Sequence, residues 1–205
     1  MRNILLCILL MTTPAHADQY DKYRVECTAD QISAIQAATA TAKTMLQKAA
    51  AAIPPNNSTT GQAFQRWFGG AVGDTDPIIK SLYEDLQTRM SFSAFWCPPP
   101  ASFGGGGRHP NIFAWVPSDA QTEIFLEQLF FESTTTGVDS QAGTIIHELS
   151  HNSTVANFVD SDHDGDGTDD YGMANAVKLA TKNPGVARRT SDNLQYFAED
   201  LMWGI

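Results

Sequence analysis

The chemistry in this sequence is concentrated in His147-Glu148-Leu149-Ser150-His151. Two histidines four residues apart lie on one face of a helix, about 6 Å apart along its axis. Both imidazoles can then reach a single Zn²⁺ at about 2.0–2.1 Å. Glu148, beside the first histidine, is placed to take a proton from water that zinc has activated, rather than to bind the metal itself. The flanking residues favour the helix this chemistry needs. Asp139-Ser140 offers an N-cap, and Ala142, Ile145, Ile146 and Leu149 recur at helical spacing.

A catalytic zinc requires a third protein ligand. A Gly-and-His extension of the same helix is excluded, because Thr154 and Asn157 stand at those places. A glutamate from a later helix would have to be Glu199. The richer source is the run Asp160-Ser161-Asp162-His163-Asp164-Gly165-Asp166-Gly167-Thr168-Asp169-Asp170, which holds six aspartates and one histidine. Within it, Asp162, Asp164, Asp166, Gly167 and Asp170 follow the opening spacing of a calcium loop. The acid that normally closes such a loop is replaced by Met173. The segment is therefore a candidate for two ions: the catalytic zinc, and a Ca²⁺ held by Asp162, Asp164 and Asp166.

These residues resemble the deuterolysin or aspzincin metalloendopeptidases, and most closely the peptidyl-Lys members. Thr136 to Thr144 leading into the HExxH resembles their approach to the active-site helix, and Gly167-Thr168-Asp169-Asp170 resembles the start of their GTxDxxYG motif. Tyr171-Gly172, Leu179-Ala180, Asn183-Pro184 and Asp192-Asn193 through Tyr196-Phe197-Ala198-Glu199 are similar to the remainder of the C-terminal half. The resemblance implies one catalytic zinc held by His147, His151 and Asp170, with Asp169 and Asp166 as alternatives. Asp170 and Tyr171 are adjacent here, whereas the family separates the two by two residues. Glu148 is implied as general base and then acid, and Tyr171 as an oxyanion donor. Asp192 is implied to face a substrate lysine after the scissile bond. Gln195 stands where the lysine-specific members carry a second acid, so the electrostatic discrimination expected from Asp192 alone is weaker.

The elements that position these groups are legible from periodicity. Gln31 to Ile53 reads as one long amphipathic helix stopped by Pro54-Pro55, and Asn56 to Gly61 as a polar loop. Asp74 to Met90 reads as a second helix with Pro77 near its start. Asn111 to Val116 and Glu123 to Phe131 are apolar and aromatic and read as strands of a small antiparallel sheet. From Asp139 the pattern is helical to the C-terminus, apart from the Asp/Gly-rich interruption. The expected fold is a single, mostly helical α+β domain with a zincin active-site helix.

Composition bounds the function. The chain has 205 residues, 13 of them basic and 23 acidic, for a net charge of −10. Such a balance excludes a nucleic-acid binder or a polybasic membrane-surface protein. Arg2, the apolar run Ile4 to Met11 and Ala15-His16-Ala17 form a secretory signal pattern, so residues 1–17 are expected to be removed. Cys7 leaves with them, and Cys27 and Cys97 are expected to pair in an oxidising compartment. The expectation is a monomeric, secreted or periplasmic zinc endopeptidase acting on protein or peptide substrates. The competing readings are a calcium-binding extracellular module with a vestigial HExxH, and a peptidase acting on cell-wall peptides.

Overall fold

A computed structural model describes residues 27–70, 76–97, 111–117, 122–152, 158, 160, 162, 165, 167 and 171–205. The signal pattern lies outside the described residues. The long first helix, α1 (Ala29–Ala51), opens with a capping box in which Thr28 and Gln31 exchange side-chain and backbone bonds. It buries Ile35, Ala38, Ala42, Met45, Leu46 and Ala49, a stripe at three- and four-residue steps. That stripe packs against α3 (Pro77–Met90), α5 (Gln141–Ser150) and α8 (Ser191–Trp203).

Between α1 and α3 the chain forms α2 (Ser58–Phe68), partly where a loop was expected. Asn57 caps it, accepting from the Thr60 backbone while the Thr60 hydroxyl accepts from the Asn57 backbone. Asn and Thr favour helix caps as strongly as turns, so the polar segment disguised a helix start. Phe64, Trp67 and Phe68 of α2 meet Tyr196 and Phe197 of α8, with ring centroids 5.0–6.1 Å apart. All five side chains are almost fully buried. Burying each such ring contributes about 1.5–3 kcal/mol, which anchors α8 against the rest of the molecule.

The sheet has three strands in the order β1-β3-β2, comprising β1 (Ala94–Trp96), β2 (Ala114–Trp115) and β3 (Glu123–Leu126). β2 pairs with β3 antiparallel, as expected, but β1 pairs with β3 parallel, so the sheet is mixed rather than antiparallel. β1 is too short for a period-2 signal, and its partner lies 29 residues away along the chain. The apolar segment after β3 turns into a short helix, α4 (Gln128–Glu132). Trp96 and Trp115 stack on opposite sides of Phe125's position, with centroids 5.3 and 4.3 Å from its ring. Cys27 and Cys97 are joined, closing a loop of 70 residues that ties the start of α1 to the end of β1. A cross-link over that span stabilises by about 4 kcal/mol in the chain-entropy account.

The C-terminal half supplies α5, α6 (Met173–Lys182), α7 (Pro184–Ala187) and α8. Every residue of α5 from Gln141 to Ser150 is buried, including the polar ones. A helix buried all round needs partners for its polar side chains, and α8 runs antiparallel beside it to provide them. Ser150 bonds Ser191, His147 meets Asp192, and Ser140 at the start of α5 meets Glu199. The contact is close because residue 143 is glycine. A Cβ there would lie 2.0 Å from the Glu199 Oε1.

Candidate metal centre

His147 and His151 occupy the last turn and the C-cap of α5, one helical step apart, with ring centroids separated by 5.1 Å. Each ring is oriented by a bond at Nδ1. His147 Nδ1 lies 2.9 Å from the Asp192 Oδ1, and His151 Nδ1 lies 2.8 Å from the Phe158 carbonyl oxygen. A carbonyl can only accept, so His151 carries its proton on Nδ1, and a His147 that donates from Nδ1 to Asp192 likewise keeps its Nε2 for a metal ion. Both Nε2 lone pairs are thereby directed to one point.

Asp160 completes that point. Its Oδ2 lies 3.0 Å from the His147 Nε2 and 2.9 Å from the His151 Nε2. Ligand atoms from His147, His151 and Asp160 all fall within 4.8 Å of one another, and among the described residues this is the group able to hold a metal ion. The Phe158 backbone N–H donates to the Ser150 carbonyl, and the Phe158 carbonyl orients His151. Asp160, two residues on, then faces both rings.

Two imidazoles and a carboxylate with a preset tautomer are the donor set of a catalytic zinc. A further observation fits the ion. Glu148 Oε2 is buried without a hydrogen-bond partner among the described residues, 4.0 Å from the His151 Nε2. A carboxylate oxygen in that position has use for a ligand held between it and the metal. The electrostatics agree. Burial raises the Asp160 carboxyl, but the adjacent imidazoles outweigh it and hold that carboxyl well below the ordinary range. Burial lowers His147, and the carboxylates of Asp160 and Asp192 more than offset it. Glu148 is raised above the usual carboxylate range, first by burial, with the two histidines opposing.

The three donors border a cavity of about 830 Å³. Its lining includes Asn111 to Pro117, which contain β2, and Thr144, His147 and Glu148 of α5. Tyr171, Asp192, Gln195 and Tyr196 line it as well. Tyr171 is 51% exposed, its ring centroid 6.3 Å from that of His147. Asp192 is 6% exposed, and both its oxygens are engaged: Oδ1 with His147 and Oδ2 with the Gly172 backbone N–H. Gln195 directs Nε2 toward the Asp139 Oδ1 and the Glu199 Oε1, both at 3.5 Å.

The expected ligand Asp170, and its alternatives Asp169 and Asp166, lie outside the described residues. Asp160 was not singled out from the sequence as a ligand, although its place nine residues after His151 at the head of the acidic run was a usable signal. Glu199, the alternative glutamate, is fully buried at the far end of α5, accepting from the Ser140 backbone and hydroxyl and the Asp139 backbone. Of the expected calcium ligands, Asp164 and Asp166 also lie outside the described residues. Asp162 accepts the backbone N–H groups of Gly165 and Gly167, each at 2.7 Å. Nothing among the described residues supports a calcium ion there.

Comparison with known proteins places this architecture. The solved structure titled zinc peptidase from Grifola frondosa superposes with a TM-score of 0.70 at 26% identity, covering 86% of this chain and 99% of that one. An extracellular protease of Aeromonas hydrophila is 33% identical over 74% of this chain and 42% of its own length. A peptidyl-Lys metalloendopeptidase of Grifola frondosa is 29% identical over 85% of this chain and 45% of its own. One of Pleurotus ostreatus is 29% identical over 86% of this chain and 95% of its own. The chain thus spans under half the length of the first two of these curated relatives. The sequence profile of the lysine-specific metallo-endopeptidases, the aspzincins, matches residues 54–199. The chain belongs to the aspzincin family of lysine-specific metallo-endopeptidases.

Proposed function

We propose that this chain is a secreted, zinc-dependent endopeptidase in which His147, His151 and Asp160 hold the metal. The observation that carries the reading is the convergence of two Nε2 atoms and one carboxylate oxygen, with a buried unpartnered glutamate oxygen alongside. Bound there, zinc supplies Lewis acidity toward water and the scissile carbonyl. Glu148, its proton affinity raised by burial, accepts the proton of the attacking water and returns it to the departing amine. Tyr171 borders the same cavity and donates its hydroxyl to the oxygen on which charge develops. β2 lies at the edge of the sheet and against the cavity, so an extended peptide can pair along it and bring its carbonyl to the metal.

The names of the relatives support a preference for lysine after the scissile bond. Secretion is supported by the relative named an extracellular protease and by the Cys27–Cys97 disulfide. No described helix is long and apolar enough to cross a membrane. The test is a protein-substrate assay of the zinc-loaded enzyme beside Glu148→Gln, with metal content measured in both. Glu148→Gln should retain zinc and lose at least about 10²-fold in kcat. Undiminished activity in Glu148→Gln, or a wild-type protein that takes up no zinc, would falsify the reading.

A further inference from the structure

Four carboxylates line the cavity, those of Asp139, Glu148, Asp160 and Asp192, and no lysine or arginine is among the described residues that line it. Such a cavity favours a cationic side chain. Three of the four are committed elsewhere. Asp160 faces the two imidazoles, Glu148 is the proton carrier, and Asp192 is engaged at both oxygens by His147 and Gly172. Asp139 remains. Its Oδ1 accepts from the Tyr196 hydroxyl at 2.6 Å and from the Gln195 amide at 3.5 Å, while its Oδ2 accepts no bond among the described residues.

The carboxylate is also held in place before any substrate arrives. Asp139 adopts φ +53°, a left-handed conformation that aspartate tolerates better than most residues. Its own N–H donates to the Glu199 Oε2 at 3.2 Å, which keeps the backbone in that turn. Fixed in this way, the group receives a cation with little reorganisation. The Gln195 amide reaches both the Asp139 Oδ1 and the Glu199 Oε1 at 3.5 Å.

We propose that Asp139 determines specificity by receiving the ammonium group of the substrate lysine that follows the scissile bond. This rests on the peptidase reading above and assigns the lysine preference to a residue outside the metal cluster. The test compares two peptides that differ only in carrying lysine or norleucine after the scissile bond. The wild-type ratio of kcat/KM should favour lysine, and Asp139→Asn should reduce that ratio by about tenfold or more. Asp139→Gly should do the same, since glycine accepts the left-handed backbone and keeps the turn intact. An unchanged ratio in folded variants, or a wild-type enzyme indifferent to lysine, overturns the proposal. Should zinc-loaded wild type cut neither peptide, the peptidase reading falls separately. Calorimetric binding of the two peptides to wild type and Asp139→Asn then decides Asp139's role, equal lysine binding by both proteins overturning it.

Discussion

Asp192 Oδ1 lies 2.9 Å from Nδ1 of His147, so the second residue of α8 orients an imidazole in the last turn of α5. The same carboxylate accepts the Gly172 N–H and is 6% exposed. Its environment is that of a group that positions a metal ligand. Asp192→Asn leaves a side chain of the same shape but removes the charge and sets an N–H against one of its two donors. Zinc affinity should fall by about 10–100-fold, as measured by competition with a chelator of known affinity. Loss of lysine preference at unchanged zinc affinity would instead return Asp192 to substrate recognition.

The third ligand is decided by zinc content. Asp160→Asn should purify with substoichiometric zinc and lose hydrolysis, because two neutral imidazoles alone leave the ion short of a donor and of compensating charge. Asp170→Asn should keep its zinc. Elemental analysis of the two variants separates the assignments, and a zinc-free Asp170→Asn would sink the one made here.

Gly143 permits the α5–α8 contact. A methyl group there would sit 2.0 Å from the Glu199 Oε1 and 3.1 Å from the Gln195 side chain. Alanine, although the better helix former, must displace the buried Glu199 carboxylate from its Ser140 and Asp139 partners or shift α8. Gly143→Ala should lose about 2 kcal/mol or more of stability. Its denaturation midpoint should fall, and its zinc affinity should fall with it.

Glu199 gives the fold a pH dependence of its own. Burial, opposed by the bonds from Ser140 and reinforced by the Asp139 charge, pushes its carboxyl from 4.5 up to about 7. The folded state therefore retains a proton that the unfolded chain releases, and stability from this group is full below about pH 4.5 and is lost as pH rises toward 7. The change is on the order of 3 kcal/mol. Denaturant titrations at saturating zinc should show this decline in wild type and a flatter profile in Glu199→Gln. Parallel profiles for the two proteins would contradict it.

What the sequence alone determined was the chemistry that local geometry controls. A spacing of four on a helix places His147 and His151 on one face whatever surrounds them, and the Asp139-Ser140 cap with its apolar spacing makes that helix. α1 was legible for the same reason, from its stripe and its Pro54-Pro55 stop. The pairing of Cys27 with Cys97 followed from the count of cysteines in an oxidising compartment. The tertiary structure decided whatever depends on residues distant along the chain. α2 stayed hidden because cap residues are also loop residues, and β1 because three residues carry no period. Asp160 is recognisable as a candidate third donor only from the tertiary structure, which sets its carboxylate beside both rings. Asp192 and Asp139 are both acids, and the sequence offers no means to divide their tasks. The packing of α8 against α5 does so, occupying both oxygens of one and leaving an oxygen of the other, at the cavity's edge, without a partner among the described residues.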